Sequence, residues 1–393
     1  MTFHPTKAYN ELPELPPQAD IESKVILKQS IEARQALANL NASIQKLPNP
    51  DVLIAPFILQ EARDSSAIEN IVTTDDELFK QSDHTAEPSD PAVKEALRYR
   101  AALYDAYDRL NARPIGANTA IQICRTLTGV EMDIRAVPGT TLRNDQTGET
   151  VYTPPIGQDL IRAKLSNWEK FIHQQTDIDV LIRIAVQHYQ FEAIHPFGDG
   201  NGRTGRILNV LLLLENRLLD KPVLYLSREI LATRDAYYQG LINVTKHDAW
   251  ETWISYFLKR LTISAEKTAY KAKQIQVLFD STRTHVRAGA PKFYSQELLD
   301  FLFARPYCRI GELVDVGIAK RQTAAVYLGH LAELGVLKET KSGREKIFVH
   351  TKLLELLTTD GANVTKYPVG SGKPSGLLDD VAPKRRRPTA RTA

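Results

Sequence analysis

"HPFGDGNGRTGR", His195 to Arg206, running straight into "ILNVLLLLENRLL", is the stretch whose reading decides this chain. Four glycines in twelve residues deny the segment a regular fold of its own, while the apolar run behind it reads as a buried helix from Gly205 to Leu219. Gly200, Asn201 and Gly202 tolerate the backbone angles of a nest of N–H groups, and the helix adds its partial positive end. Together they form an anion site suited to a diphosphate. Arg203 and Arg206, three apart, share a helical face from which both can reach phosphate oxygens. Asp199 offers a hard oxygen ligand beside them, which suits magnesium, an ion that commonly takes one or two carboxylates together with substrate phosphates. Pro196 fixes the backbone after His195, and Phe197 can anchor the turn in the core. A neutral imidazole at the edge of a phosphate site is placed to accept a proton from an attacking hydroxyl. These groups describe nucleotidyl or phosphoryl transfer to a hydroxyl. The Gly-Lys-Ser/Thr ending of a Walker A loop is absent, as is the histidine spacing of a zinc protease helix.

The bulk numbers set limits. A chain of 393 residues suggests two or three domains at roughly 150 residues each. Hydrophobic content of 43% and charged content of 25% argue against both disorder and a membrane protein. "VLLLL", Val210 to Leu214, falls far short of the roughly 20 apolar residues of a membrane span. The N-terminus lacks a basic segment followed by an apolar core, so no secretory signal is expected. Cys124 and Cys308 stand far apart with no CxxC, which excludes a thiolate zinc site and a disulfide framework and makes the cytoplasm the default location. A net charge of +3 does not argue for nucleic acid by itself.

Proline-rich "NELPELPPQAD" reads as an extended surface arm. Ile26, Ile31, Leu37, Leu40 and Ile44 give the segment from Ile21 to Leu47 a helical period. A second helix starts near Pro56 and ends near the "IVTTDD" turn signals. Asp90 as N-cap and Pro91 at the first helical position open a third, and Ala117 to Thr128 is a fourth. Between Val137 and Thr153, β-branched residues flank a Gln-Thr-Gly turn and predict a hairpin. Helices resume at Asp159 to Gln174, Asp179 to Ala193, the Gly205 helix and Ser227 to Ile242. A long helix from Asp248 becomes polar and basic after Ile263, as a connector leaving the core would. From Pro291 to His350 the order is that of a winged helix-turn-helix, with Thr323 to Leu334 in the recognition position and Lys341 to Lys346 as the wing. Lys320, Arg321, Lys341, Arg344 and Lys346 are offset by Asp315, Glu333, Glu339 and Glu345. That mixed surface leaves both protein contact and DNA backbone contact open.

"HPFGDGNGRTGR" resembles the signature of the Fic family, His-x-Phe-x-Asp/Glu-Gly-Asn-Gly-Arg-x-x-Arg, with every defining position filled. The resemblance runs roughly from Pro56 to Leu261. It implies a mainly α fold, a helical Fic core with a β-hairpin flap, to which the C-terminal winged helix-turn-helix domain is added. It further implies transfer of AMP from ATP to a Ser, Thr or Tyr hydroxyl of a protein, with release of pyrophosphate. Carried over by position, His195 is the general base and Asp199 the magnesium ligand. Gly200, Asn201, Gly202, Arg203 and Gly205 bind ATP phosphates, and Arg206 holds the γ-phosphate. The hairpin at 137–153 resembles the flap that holds an extended target segment by strand addition. Tyr238 sits where relatives supply a ring near the adenine, although it or Tyr237 could serve the core instead. His188 reads as a packed core histidine.

"SSAIEN", Ser65 to Asn70, matches the family's inhibitory motif, Ser/Thr-x-x-x-Glu-Gly/Asn. By resemblance Glu69 pairs with Arg206 and denies it to the γ-phosphate, and it could also activate water to remove AMP from a modified target, a reverse activity that some relatives show. The chain divides into an N-terminal helical region with this motif (1–90), the catalytic core (91–265), a helical connector (266–290), the winged-helix domain (291–357) and a disordered basic tail (358–393). The resemblance also implies a homodimer and self-modification. The rival reading is a winged-helix DNA-binding regulator with a nucleotide-sensing core; intact His195 argues against it.

Overall fold

The computed structural model describes residues 3–81, 88, 90–144, 147–342 and 345–368. Ser23 accepts a hydrogen bond from the Ile26 N–H and opens α1, Lys24–Gln45. Ile26, Leu37, Leu40 and Ile44 are buried as their spacing predicts, but Ile31 is exposed; Ser30 and Ala33 face inward in its place. Short α2 (Pro50–Leu53) leads into α3 (Ala55–Ile68), then α4 (Asp75–Gln81), which the turn signals at 71–76 concealed. Asp90 caps α5 (Pro91–Arg109) by accepting from the Ala92 N–H at 2.8 Å. α6 (Ala117–Thr128) ends on Gly129 in the left-handed region.

β1 (Leu142–Arg143) pairs antiparallel with β2 (Thr150–Tyr152), Leu142 opposite Tyr152, forming the expected hairpin. α7 (Gln158–Gln174), α8 (Val180–Ile194) and α9 (Asn201–Glu215) follow. α9 starts at Asn201 rather than Gly205, because Gly200 takes φ 77° and turns the chain directly into the helix. It stops at Glu215 because Arg217 adopts φ 56° and the Leu218 N–H returns to the Leu213 carbonyl. The segment read as one helix from Ser227 to Ile242 is two, α10 (Leu226–Leu231) and α11 (Arg234–His247), separated at Thr233, whose hydroxyl bonds the Glu229 carbonyl.

α12 (Trp250–Gly289) is one continuous helix, and its polar second half does not leave the core. Ala269, Ala272, Ile275, Leu278, Phe279 and Val286 are buried, and α12 packs along α1 and α16. Some of its polar residues are drawn inward as well: Thr268, Lys271, Thr282 and His285 are buried. Trp253, on its first half, is fully buried and donates its indole N–H to the Ala185 carbonyl of α8. Truncating such a ring costs about 3–5 kcal/mol. The N-terminal arm lies along the core as read, anchored by the buried Leu12 and Leu15 and by Lys164, Asn167 and Gln190, which bond the backbone of Leu12, Leu15 and Pro13.

The C-terminal part runs α13 (Gln296–Ala304), β3 (Tyr307–Cys308), α14 (Ile310–Asp315), α15 (Arg321–Glu333), β4 (Lys338–Ser342), β5 (Glu345–Val349) and α16 (Thr351–Thr358), with sheet order β3-β5-β4. Helix, short helix, longer helix and hairpin follow in the order read from the sequence; β3 and α16 were not anticipated. Lys346 pairs with Glu339 at 2.8 Å across the hairpin. Arg344 and the basic cluster Lys384 to Arg387 lie outside the described residues. The start of the segment expected to be disordered is packed instead. Tyr367 is 6% exposed and stacks on His285 at 4.9 Å, and its N–H donates to the Ser281 hydroxyl.

Candidate active site

α8 carries apolar or small residues on nearly every side and is buried almost throughout. It ends where His195 takes φ 49°, ψ 60°, left-handed angles that cost a side-chain-bearing residue about 1–3 kcal/mol. The turn is held from both sides. Phe197 is fully buried, its N–H donates to Asn201 Oδ1 at 2.8 Å, and its carbonyl accepts from Asn201 Nδ2 at 2.9 Å. Asn201 therefore spends its side chain on the turn; only its backbone N–H is left for an anion. Arg135 donates from Nε to the His195 carbonyl at 2.7 Å. Sequence reasoning passed over Arg135, because an arginine in a loop carries no periodic signal.

His195 Nδ1 is shielded from solvent. Burial, then the charge of Arg135, push the imidazole down to about 4, only partly opposed by the Glu192 backbone and by Glu69. The ring is neutral at pH 7, as a proton acceptor must be. Glu192, one turn earlier in α8, was also missed. Burial pushes its carboxyl up to about 7 against the pull of Arg206, and its Oε1 lacks a partner among the described residues.

The opening turn of α9 explains its glycines by close approach. A Cβ on Gly202 would lie 2.5 Å from Glu69 Oε1 and 2.8 Å from an Arg206 nitrogen. One on Gly205 would lie 2.5 Å from Glu192 Oε1. The N–H groups of Asn201, Gly202 and Arg203 belong to the first helical turn, where no carbonyl precedes them. Asp199 stays exposed, with Oδ1 accepting from the Gly200 N–H at 2.6 Å and from Arg203 at 3.2 Å. No group of three or more His, Cys, Asp or Glu that could enclose a metal occurs among the described residues. One open carboxylate beside an anion site is the donor set of an ion held largely by substrate phosphates.

Helix α3 delivers the second half of the site. It ends with Asn70 at φ 65°, and the Ile71 N–H returns to the Ser66 carbonyl. This left-handed stop is why Gly or Asn fits the motif's last position. Arg206, 2% exposed, donates from Nε to the Ser65 hydroxyl at 2.7 Å and through its second nitrogen to the Ser65 carbonyl at 2.9 Å and Glu69 Oε1 at 2.8 Å. Arg203, 1% exposed, donates from Nε to Glu69 Oε2 at 2.7 Å and pairs with Glu95 of α5, a contact no motif announced. Glu69 thus pairs with both arginines, not with Arg206 alone. Burial would raise its carboxyl; Arg206 and Arg203 outweigh it and hold the group below its ordinary value.

Tyr237 is buried and bonds His188 Nε2 at 2.9 Å, while Tyr238 is 43% exposed with the Arg234 guanidinium 5.6 Å from its ring centre. The two neighbouring tyrosines divide the roles: Tyr237 belongs to the core and Tyr238 stays available. His188, fully buried and also bonded to Asn209, is pushed by burial down to about 3 and is structural.

Residues 27–108 match the Fic/DOC family N-terminal model, 114–213 the Fic/DOC family model, and 278–353 the C-terminal domain of SoFic-like protein adenylyltransferases. A probable protein adenylyltransferase of Aquifex aeolicus is 38% identical over 98 residues, 24% of this chain and 29% of that protein. The Caenorhabditis elegans protein adenylyltransferase fic-1 is 32% identical over 89 residues, 22% of this chain and 16% of that one. The chain thus spans less than a third of the length of these relatives. In fold it is similar to a Fic family protein from Desulfovibrio desulfuricans G20, with a TM-score of 0.55 at 17% identity over 85% of this chain and 98% of that one. A Fic domain protein from Bacteroides thetaiotaomicron gives 0.50 at 18% identity over 62% and 96%. With three successive family models aligned along it and the signature turn filled at every position, the chain belongs to the Fic/DOC family.

Proposed function

We propose that this chain is a protein adenylyltransferase held in an inhibited state by its own Glu69. One observation carries the reading: the anion site at the start of α9 already holds an anion. The Glu69 carboxylate lies against Gly202 and takes hydrogen bonds from Arg203 and Arg206. A carboxylate there stands in for a phosphate, so the same contacts support both the ligand class and the inhibition.

In the active form ATP lies with its phosphates across the Asn201, Gly202 and Arg203 N–H groups, its γ-phosphate on Arg206 and its adenine beside Tyr238. Because Nδ1 of His195 is shielded, Nε2 meets the target hydroxyl. The hydroxyl oxygen bonds to the α-phosphorus, its proton passes to Nε2, and the bond to the β-phosphate's bridging oxygen breaks to release pyrophosphate. Asp199 is the residue that would hold magnesium, which would supply charge compensation on the phosphates when bound. The target segment adds to the hairpin at 137–153, and a second copy of this chain is one such target. Glu69, pinned by two guanidinium groups and held below its ordinary carboxyl value, is a poor base for AMP removal in this state.

The test is intact-protein mass spectrometry of wild type, Glu69→Gly and Glu69→Gly/His195→Ala after incubation with ATP and magnesium. A gain of one AMP in Glu69→Gly alone is the expected result. No gain in any variant, with or without candidate targets, overturns the reading.

A further inference from the structure

The end of α8 poses a hydrogen-bond problem whose solution ties the turn to the hairpin. A helix leaves its last carbonyls without intrahelical donors. Here four consecutive carbonyls are taken by Tyr152 of the hairpin's second strand or by Arg135, just before the hairpin. Ala193 accepts from the Tyr152 hydroxyl at 2.9 Å, and Ile194 from Arg135 at 3.3 Å. His195 accepts from Arg135 Nε at 2.7 Å, and Pro196 from the Arg135 backbone N–H at 2.9 Å. The guanidinium nitrogen that reaches Ile194 also bonds the Pro155 carbonyl, just beyond β2. Arg135 is 8% exposed and has no carboxylate partner among the described residues. It is a buried cation spent on carbonyls.

We propose that Arg135 is the positioning residue for His195, joining the histidine's turn and the base of the hairpin into one unit so that target docking and imidazole orientation are set together. This rests on the reading of His195 as general base. The physical case has two parts. The left-handed backbone at His195 is unfavourable by itself, and a cation with a planar fork at a helix C-terminus offsets it by bonding the carbonyls that this geometry exposes. The charge of Arg135 also depresses the His195 proton affinity, while Glu69, at the end of α3, and the Glu192 backbone act in the opposite sense. Losing Arg135 therefore both loosens the turn and makes the imidazole easier to protonate. A lysine retains the charge but cannot span the His195 and Pro155 carbonyls from one head group.

The experiment compares Arg135, Arg135→Gln and Arg135→Lys within the Glu69→Gly chain, each shown by thermal melting to be folded. The His195 titration is followed by histidine NMR, its signal assigned by loss in His195→Gln. Initial rates of AMP transfer are measured from pH 5 to 9. For Arg135→Gln we expect the titration midpoint to rise toward 6.5, kcat to fall at least tenfold, and KM for ATP to stay within about twofold. Arg135→Lys should keep the parental midpoint and still lose kcat, and it decides the matter if Arg135→Gln does not fold. A folded variant with unchanged midpoint and unchanged kcat overturns the proposal. So does a kcat loss matched by a rise in KM with no shift in titration, since that is general loosening. If the parental Glu69→Gly chain transfers no AMP, the functional reading fails, while the NMR midpoint alone still decides whether Arg135 controls His195.

Discussion

Replacing Glu69 by glycine should have two linked effects whose sizes follow from the contacts. Glu69 is held by two charge-assisted hydrogen bonds, 2.7 Å to Arg203 and 2.8 Å to Arg206, each worth about 1.5–3 kcal/mol. An arriving γ-phosphate remakes most of what it displaces, so the net inhibitory cost is close to one such contact. That corresponds to an increase of roughly ten- to a hundred-fold in transfer rate. The same change leaves two almost fully buried guanidinium groups without their shared carboxylate. Breaking a buried pair costs about 3–5 kcal/mol. Glu69 keeps 23% side-chain exposure, and solvent screening brings the expected cost below that range, to about 2–3 kcal/mol. ATP with magnesium should return that stability, since ligand at a hundred times its Kd contributes about 2.7 kcal/mol. The assay pairs the rate of AMP incorporation, read by intact mass, with melting temperature in the presence and absence of ATP and magnesium. The variant should be faster, melt lower without nucleotide and gain several degrees more than wild type on adding it. Equal rates, or an equal nucleotide-induced rise in melting temperature, would refute the inhibitory role.

Further outcomes follow from the same geometry. The Glu69 carboxyl is held below its ordinary value, so its pairing is complete above that value and is lost only as pH falls through the depressed folded one. The rate ratio of Glu69→Gly to wild type should therefore stay constant from pH 8 to 5, and a ratio approaching one by pH 5.5 contradicts the pairing. Gly202→Ala places a methyl against Glu69 Oε1 and should lower the melting temperature of wild type more than that of the Glu69→Gly chain. Equal losses in both backgrounds would show that the close approach does not matter. Burial raises Glu192 to about 7, above its unfolded value, so the unfolded chain ionises first and stability falls as pH rises from about 4.5 through 7. Glu192→Gln should flatten that part of the stability profile in denaturant titrations, and an unchanged slope would sink the assignment.

Read alone, the sequence already determined the Asp90 cap and the helix start at Ala117, the hairpin, the sequence of three helices and a hairpin in the C-terminal part, and the glycine-rich turn that opens α9. These depend on local preferences, glycine and proline punctuation, side-chain caps and helical spacing, all written within a few residues of where they act. Sequence by itself did not reveal that Asn201 turns inward to clamp Phe197 or that α12 is buried along its second half. Nor did it reveal that Tyr238, rather than Tyr237, stays exposed. Periodicity says which face of a helix is apolar; it does not say what arrives to cover a polar one. The contacts that join distant segments came from the tertiary structure alone: Glu69 to Arg203, 134 residues apart, Glu95 to Arg203, and Arg135 to the His195 carbonyl, 60 residues apart. A buried charge leaves no trace in local pattern, because its partner is chosen by the fold and not by neighbours in the chain. The candidate residues of the proposed reaction, and Glu69 with them, were therefore legible in the sequence, whereas Arg135, Glu95 and Glu192 were not.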